Sequence, residues 1–180
     1  MSSRADAWPE GLRLRHELRP GDLGRLIALH GEVYSQWSGY GLEFEAFVAR
    51  TIAEYGLDNG FNGRVWLLEA GQESASELVG CCAVALRGKA AAQLRWVLLK
   101  SEFCGGGLGR RLVETALDHC RGLGIEKVFL ETTDGLEASS TLYEKLGFRE
   151  SSNQIVPLWA GPRPLIRMEL SLKLKQAGLK

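Results

Sequence analysis

An apolar run, Leu94 to Leu99, leads into Phe103-Cys104-Gly105-Gly106-Gly107-Leu108-Gly109-Arg110-Arg111-Leu112, and a helical pattern leads out of it. This reads as a strand, a glycine turn and the start of a helix. A helix that begins in glycines leaves its first amides without intrahelical partners and directs the positive end of its dipole at whatever sits there, so the turn suits an anion. Glycines also let the backbone approach a phosphate closely and adopt positive φ. A P-loop needs Lys and then Ser or Thr after its last glycine, whereas Gly109 is followed by Arg110 and Arg111. The dinucleotide fingerprint fails as well, because Leu112 stands where its third glycine belongs. A plain glycine-rich turn is the alternative reading.

Leu108, Leu112, Val113, Ala116, Leu117 and Cys120 recur at helical spacing, and Gly122 and Gly124 stop that helix before a second apolar run, Val128 to Leu130. A third segment reads Ala138-Ser139-Ser140-Thr141-Leu142-Tyr143-Glu144-Lys145-Leu146-Gly147-Phe148. At this point the chain resembles the GNAT superfamily of acyl-CoA-dependent N-acetyltransferases. The superfamily pairs a (Gln/Arg)-x-x-Gly-x-Gly/Ala turn for the cofactor pyrophosphate with, about 35 residues on, a helix ending in Leu-Tyr-Glu-Lys-Leu-Gly-Phe. The resemblance covers about Leu12 to Leu172. Arg19 to Gly24, His30 to Tyr34 and Ala92 to Arg95 look like the subgroup also found fused behind MarR-type regulators, although no DNA-binding half is expected within these 180 residues. Two positions depart from the pattern: Cys104 replaces the usual Gln or Arg, and Leu136 replaces a common asparagine.

The resemblance implies an α/β (α+β) GNAT fold, a mixed and mostly antiparallel twisted sheet of six to seven strands flanked by about four helices. It implies transfer of an acetyl group from acetyl-CoA to a primary amine of a small molecule or protein, by direct attack in a ternary complex. Pyrophosphate then falls to Cys104, Gly105, Gly106, Gly107, Leu108, Gly109 and Arg110, and the pantetheine arm pairs like an extra strand with Val97, Leu98 and Leu99. Ser139 and Tyr143 join the cofactor site. Tyr143 holds the position of the family's general acid, and a phenol with an ordinary pKa near 10 can donate at neutral pH. A core tyrosine at a helix end is the plainer account. The base is not legible: Gln93 holds the place of a glutamate found in some members and cannot serve. Glu131, Glu43, Glu45 and His30 are geometric substitutes, as is a water chain to solvent. His30, Tyr34, Trp37 and Tyr40 lie where the family builds its acceptor site, and core packing accounts for them equally well. A non-catalytic acyl-CoA-binding or interaction domain of the same fold is the competing function, motivated by Cys104, Leu136 and the missing strand glutamate.

With 180 residues, 45% of them hydrophobic and 24% charged, the chain is long enough for one well-packed domain, expected over residues 11–174 between a flexible start at 1–10 and a tail at 175–180. A formal net charge of +0 without a basic tract gives no reason to expect nucleic acid or an anionic membrane as partner. The expected partners are acetyl-CoA and an amine acceptor, with a homodimer an allowed assembly. No apolar run reaches the roughly 20 residues of a membrane span, and the polar start lacks signal-peptide regions, so a cytoplasmic location is expected. Cys81, Cys82, Cys104 and Cys120 lack metal-like spacing and His16, His30 and His119 are scattered, so reduced thiols and no metal are expected. Near a helix N-terminus, the Cys104 thiol is expected to have a lowered pKa.

The remaining elements read as a strand at Leu12 to Leu18, a helix introduced by Pro20 through Leu23, Leu26, Ile27 and His30, and a second helix from Glu43 to Tyr55. Asn59-Gly60 and Asn62-Gly63 mark turns before an expected antiparallel hairpin of Val65 to Glu69 and Leu78 to Leu86. Ile166 to Leu172 alternates as a last strand. Gln154 to Pro164, with three prolines and Trp159, reads as an irregular loop, either shaping a substrate pocket or simply packed on the surface.

Overall fold

The computed structural model describes residues 8–58, 60–159 and 161–172. The chain runs β1 (Leu12–Arg15), α1 (Asp22–Ser38), α2 (Leu42–Leu57), β2 (Gly63–Ala70), β3 (Glu77–Leu86), β4 (Ala91–Leu99), α3 (Leu108–Gly122), β5 (Lys127–Thr132), α4 (Glu137–Lys145), β6 (Arg149–Leu158) and β7 (Gly161–Ser171). The seven strands form one sheet in the order β1-β2-β3-β4-β5-β7-β6. β4 and β5 run parallel and the other neighbours antiparallel, the mixed sheet with four helices that the sequence implied.

Strand alternation sorts the apolar side chains onto two faces. Trp66 and Leu68 of β2 pack with Leu112, Val113, Ala116 and Leu117 of α3 and with Phe148, whereas Val65 and Leu67 pack with Leu26 and Leu29 of α1 and Val48 and Ile52 of α2. Gly63, at φ +140, lets β2 lie against β3: a Cβ there would stand 1.9 Å from the Val84 carbonyl oxygen.

Two irregularities in β4 open the sheet. β4 pairs with β5 only through Ala91–Gln93 and Lys127–Phe129, after which the two strands part. On its other side, Cys81 pairs with Leu98 and Ala83 with Arg95, so Cys82 faces both Trp96 and Val97 across a β-bulge. Trp96 takes φ +48, a costly conformation for a bulky residue, and two hydrogen bonds hold it there, the second braced by a third within α2. The Cys81 thiol donates to the Trp96 carbonyl at 3.0 Å, the Trp96 indole Nε1 donates to Thr51 Oγ1 at 3.2 Å, and Thr51 Oγ1 donates to the Val48 carbonyl at 2.9 Å.

Several expected boundaries move. β1 ends at Arg15 rather than Leu18, because the Arg19 amide donates to the Asp22 carboxylate and the Asp22 amide to the Arg19 carbonyl, which turns the chain into α1. α1 continues past His30 to Ser38, where Gly39 caps it at φ 65. The largest correction concerns Gln154 to Pro164, which is the tip of a long β6–β7 hairpin rather than an irregular loop. Its prolines are tolerated for a physical reason. β6 is an edge strand, and Pro162 and Pro164 lie beyond Ile166, the last β7 residue paired with β5, so their missing amides cost no ladder bond on that side. Of the expected flexible ends, residues 1–7 and 175–180 lie outside the described residues, as does Asn59 of the first turn signal, while the Trp8 ring packs under the Arg111 guanidinium at 4.3 Å.

Candidate functional site

Where β4 and β5 part, a cavity of about 180 Å³ passes through the sheet. Leu94, Val97, Leu130 and Tyr143 line it from the α3 face, and Gln93, Arg95, Glu131, Thr132 and Thr133 line it from the two diverging strands. On the α1 and α2 side its wall is His30, Tyr34, Tyr40, Phe44, Phe47 and Thr51, completed by Trp159 from the hairpin tip.

Tyr143 ends its turn of α4 6% exposed, edge-on to Phe148 with ring centroids 5.9 Å apart. Burial raises its phenol pKa, with small additions from Tyr34 and Cys82, so the group stays protonated across the physiological range. Ser139, one helical turn earlier, lines the same cavity. Gln93 is buried; its Oε1 accepts from Arg87 at 2.7 Å and its Nε2 donates to Glu131 Oε2 at 3.3 Å. Glu131 also meets Arg167 at 3.9 Å.

His30 donates from Nδ1 to the Leu26 carbonyl at 2.8 Å and stacks on Tyr34 with centroids 6.2 Å apart. Burial lowers its pKa to about 4, so the ring is neutral at pH 7, with Nδ1 committed to the Leu26 carbonyl. Burial raises the Tyr34 phenol to about 12. Tyr40 stacks on Tyr34 at 5.9 Å and is buried. Trp37 is a correction: it is 46% exposed, packs against the edge of Tyr34 and does not line the cavity. Glu43 and Glu45, in the first turn of α2, are likewise outside the lining.

The glycine turn stands apart from this cavity, at the far end of β4. Leu98 and Leu99 lead to it with side chains buried in opposite cores, so what they present to the cleft is backbone. A 3₁₀ turn at Ser101–Phe103 follows, closed by the Cys104 amide on the Ser101 carbonyl. Gly107 then enters α3 at φ 80 with no side-chain cap. Arg111 is the first residue whose amide finds an acceptor in this helix, the Gly107 carbonyl at 3.0 Å, so the amides of Leu108, Gly109 and Arg110 face outward by helix geometry. A Cβ at Gly105, Gly106 or Gly107 would meet nothing within 4 Å, so the space over these amides is open and fits a pyrophosphate. Arg110 pairs with Glu114 at 2.9 Å. Cys104 is a second correction. Its thiol is exposed and turned back toward the Leu99 and Lys100 carbonyls, at 3.8 and 3.5 Å, and partial burial and Glu102 raise its pKa instead of lowering it.

Arg95, Thr51, Phe44, Phe47 and Trp159 belong to the cavity and were not legible as such. Arg95 lies within the Ala92 to Arg95 motif, but its direction follows from the cross-strand register, which the sequence does not state. Trp159 stood out in the segment that was expected to be irregular, and it reaches the cavity because that segment is a hairpin tip.

Over residues 32–148 the chain matches the Acetyltransferase (GNAT) family. It is similar to an uncharacterized N-acetyltransferase of Chlorobaculum tepidum, 30% identical over 81 residues, or 45% of this chain, and spans about half (49%) of the length of that curated relative. Among solved structures, spermidine N-acetyltransferase from Vibrio cholerae in complex with CoA and spermine superposes with a TM-score of 0.64 at 23% identity, covering 89% of this chain and 95% of that one. A GNAT family acetyltransferase from Elizabethkingia anophelis with acetyl-CoA bound superposes with a TM-score of 0.61 at 14% identity, covering 91% and 99%. At these identities the likeness is one of fold.

Proposed function

Because the chain belongs to the acetyltransferase (GNAT) family, we propose that it transfers the acetyl group of acetyl-CoA to a primary amine, by direct attack in a ternary complex. The observation that carries this reading is the parting of β4 and β5 between an uncapped glycine-led helix and a cavity walled by a buried, protonated tyrosine. One end suits a pyrophosphate and the other a reacting acyl group.

In this reading the amides of Leu108, Gly109 and Arg110 hold the pyrophosphate, and the main chain of Val97, Leu98 and Leu99 holds the pantetheine arm as a strand would. A free β4 amide in the bulged stretch polarises the thioester oxygen. The amine lone pair attacks the carbonyl carbon, a C–N bond forms and the C–S bond breaks. Tyr143 donates its phenolic proton to the departing sulfur, and the ammonium proton leaves to Glu131 directly or through water. Glu131 is supported as acceptor of that proton by its place on the cavity wall, exposed enough to pass the proton to solvent. Gln93 holds Glu131 rather than acting as a base itself. The subgroup likeness to the acetyltransferase half of MarR-type fusions rests on Arg19 to Gly24, His30 to Tyr34 and Ala92 to Arg95, and belongs to the same proposal.

A thiol-release assay over a panel of amines, with acetyl-CoA affinity measured in parallel by calorimetry, tests it. Free CoA appearing in proportion to acetylated amine is the expected result. Acetyl-CoA bound tightly with no CoA released from any amine would instead favour a non-catalytic acyl-CoA-binding domain.

A further inference from the structure

Arg95 stands two residues past Gln93 and Glu131 two residues past Phe129, the last residues paired across β4 and β5. The two side chains therefore flank the mouth of the splay on the α2 face, and both line the cavity. They are not paired with each other. Glu131 meets Arg167, while among the described residues the Arg95 guanidinium has no carboxylate within ion-pair distance and donates no hydrogen bond. It lies over the Trp96 ring, 5.0 Å from the centroid. Burial and then Arg87 weigh against its charge and the more distant Glu131 and Glu54 favour it, yet a guanidinium stays ionised, so the cavity holds a partly desolvated cation with no carboxylate in direct contact among the described residues. The planar fork of an arginine is the natural complement of a carboxylate.

A second observation points the same way. Trp159 lines this cavity, and its indole Nε1 is buried with no hydrogen-bond partner among the described residues. Its ring packs on Phe44 and Phe47 at 4.8 Å each and on Tyr40 at 5.5 Å, forming an aromatic wall. A bound ligand that supplied an acceptor would satisfy an otherwise costly orphan donor.

We propose that the acceptor is a free α-amino acid with an aromatic or large aliphatic side chain, its carboxylate held by Arg95, its amine presented toward Glu131 and its side chain against the Tyr40, Phe44, Phe47 and Trp159 wall. This deepens the acetyl-transfer reading and rests on it. A zwitterion matches an unpaired cation and an accessible carboxylate set across a gap, whereas a polyamine would bring like charge against Arg95.

The test compares phenylalanine, tryptophan and leucine with phenethylamine, tryptamine and isoamylamine, and with spermidine, for the wild type and Arg95→Gln. In the wild type, kcat/KM for at least one amino acid should exceed that of its carboxylate-free counterpart by roughly tenfold or more, as expected when a site built to bond a polar group meets a ligand lacking it. Arg95→Gln should raise KM for that amino acid by a similar factor and bring the ratio near one, and Arg95→Lys should restore part of the preference. Equal use of both members of each pair, better use of spermidine, or a preference that survives Arg95→Gln would overturn the proposal. Tryptophan fluorescence of the CoA-saturated protein, titrated with the same pairs, separates the two readings. Preferential amino-acid binding without CoA release from any acceptor would sink acetyl transfer and retain the acceptor site. No preferential binding would overturn the acceptor site whatever the transfer assay gives.

Discussion

Tyr143 and Cys104 show how the surroundings of one side chain decide its chemistry. Burial holds the Tyr143 proton on its oxygen at neutral pH, so the hydroxyl is present there as a hydrogen-bond donor. Tyr143→Phe keeps the ring against Phe148 and removes only the proton, so kcat should fall roughly 10- to 1,000-fold while acetyl-CoA affinity stays within a few fold, a split measured by steady-state kinetics beside calorimetry. An unchanged kcat with chemistry limiting would make the hydroxyl structural. Cys104 is the exposed thiol of the four, since Cys81, Cys82 and Cys120 are buried. Its raised pKa leaves little thiolate at neutral pH, so native protein should take up one equivalent of a thiol reagent, slowly, at a rate that climbs steadily from pH 7 toward pH 9. Fast labelling at pH 7 would mean that the helix dipole prevails after all. Tyr143 and Ser139 could be read from the sequence because a helix motif fixes which residues share a face. Arg95 could not, because its direction depends on a pairing partner far along the chain.

The same contrast holds for whole elements. The glycine turn and α3 announce themselves locally, through residues that suit a positive φ followed by helical spacing, and α1 and α2 do so through their apolar faces. The bulge at Trp96 and the β6–β7 hairpin do not. A bulge is a miscount between two strands, visible only once Cys81 is known to pair with Leu98 and Ala83 with Arg95. The hairpin hides behind prolines that ordinarily argue against a strand and are harmless only on unpaired edges. Both elements shape the cavity, and the glycine turn and the bulge can each be tested. A Cβ at Gly109 would find only Leu142 at 3.9 Å, so Gly109→Val should fold normally and yet crowd the amides offered to the pyrophosphate. Acetyl-CoA affinity should drop about tenfold or more, each 1.4 kcal/mol counting for one decade; unchanged calorimetric affinity in a folded variant would displace the site from this turn. Thr51→Val removes the hydroxyl that joins the Trp96 indole to α2. The orphaned indole should cost about 1–3 kcal/mol of stability by denaturant titration. An unaltered midpoint would show that α2 does not brace the bulge.

Across the whole molecule the sheet divides two apolar cores, and on the α1 and α2 side, away from the cavity, a buried charge network ties the start of the chain to its first hairpin. Arg15 of β1 clasps Asp22 at the start of α1 through two bonds of 2.7 and 2.8 Å and reaches Glu69 of β2 at 2.9 Å, and Glu69 also accepts from Arg13 and Arg25 at 2.8 Å each. Arg15, Asp22 and Glu69 are each less than a tenth exposed, so removing one leaves the others charged in a poor solvent. Arg15→Met should therefore cost about 3–5 kcal/mol even though it preserves volume. The network also predicts how the fold responds to acid, together with His30 on α1. Burial alone would raise the Glu69 pKa, but its three arginines overcome that and pull it down to about 2. Between the ordinary carboxylate range near 4.5 and that value, the unfolded chain takes up a proton that the folded chain refuses, so stability present above pH 4.5 drains away as pH falls toward 2. His30 acts in a higher window with the same sign. Its buried ring titrates near 4 when folded and near 6.5 when unfolded, so stability is full above pH 6.5 and declines through the interval below it. Each group can contribute a slope of at most about 1.4 kcal/mol per pH unit. Denaturant midpoints measured from pH 8 to pH 3 should accordingly start to fall below pH 6.5 and fall further below pH 4.5. His30→Phe should flatten the first decline and Glu69→Gln the second, at the expense of stability at neutral pH for the latter. A His30→Phe protein with the full wild-type slope between pH 6.5 and pH 4.5 would assign that decline to some other group.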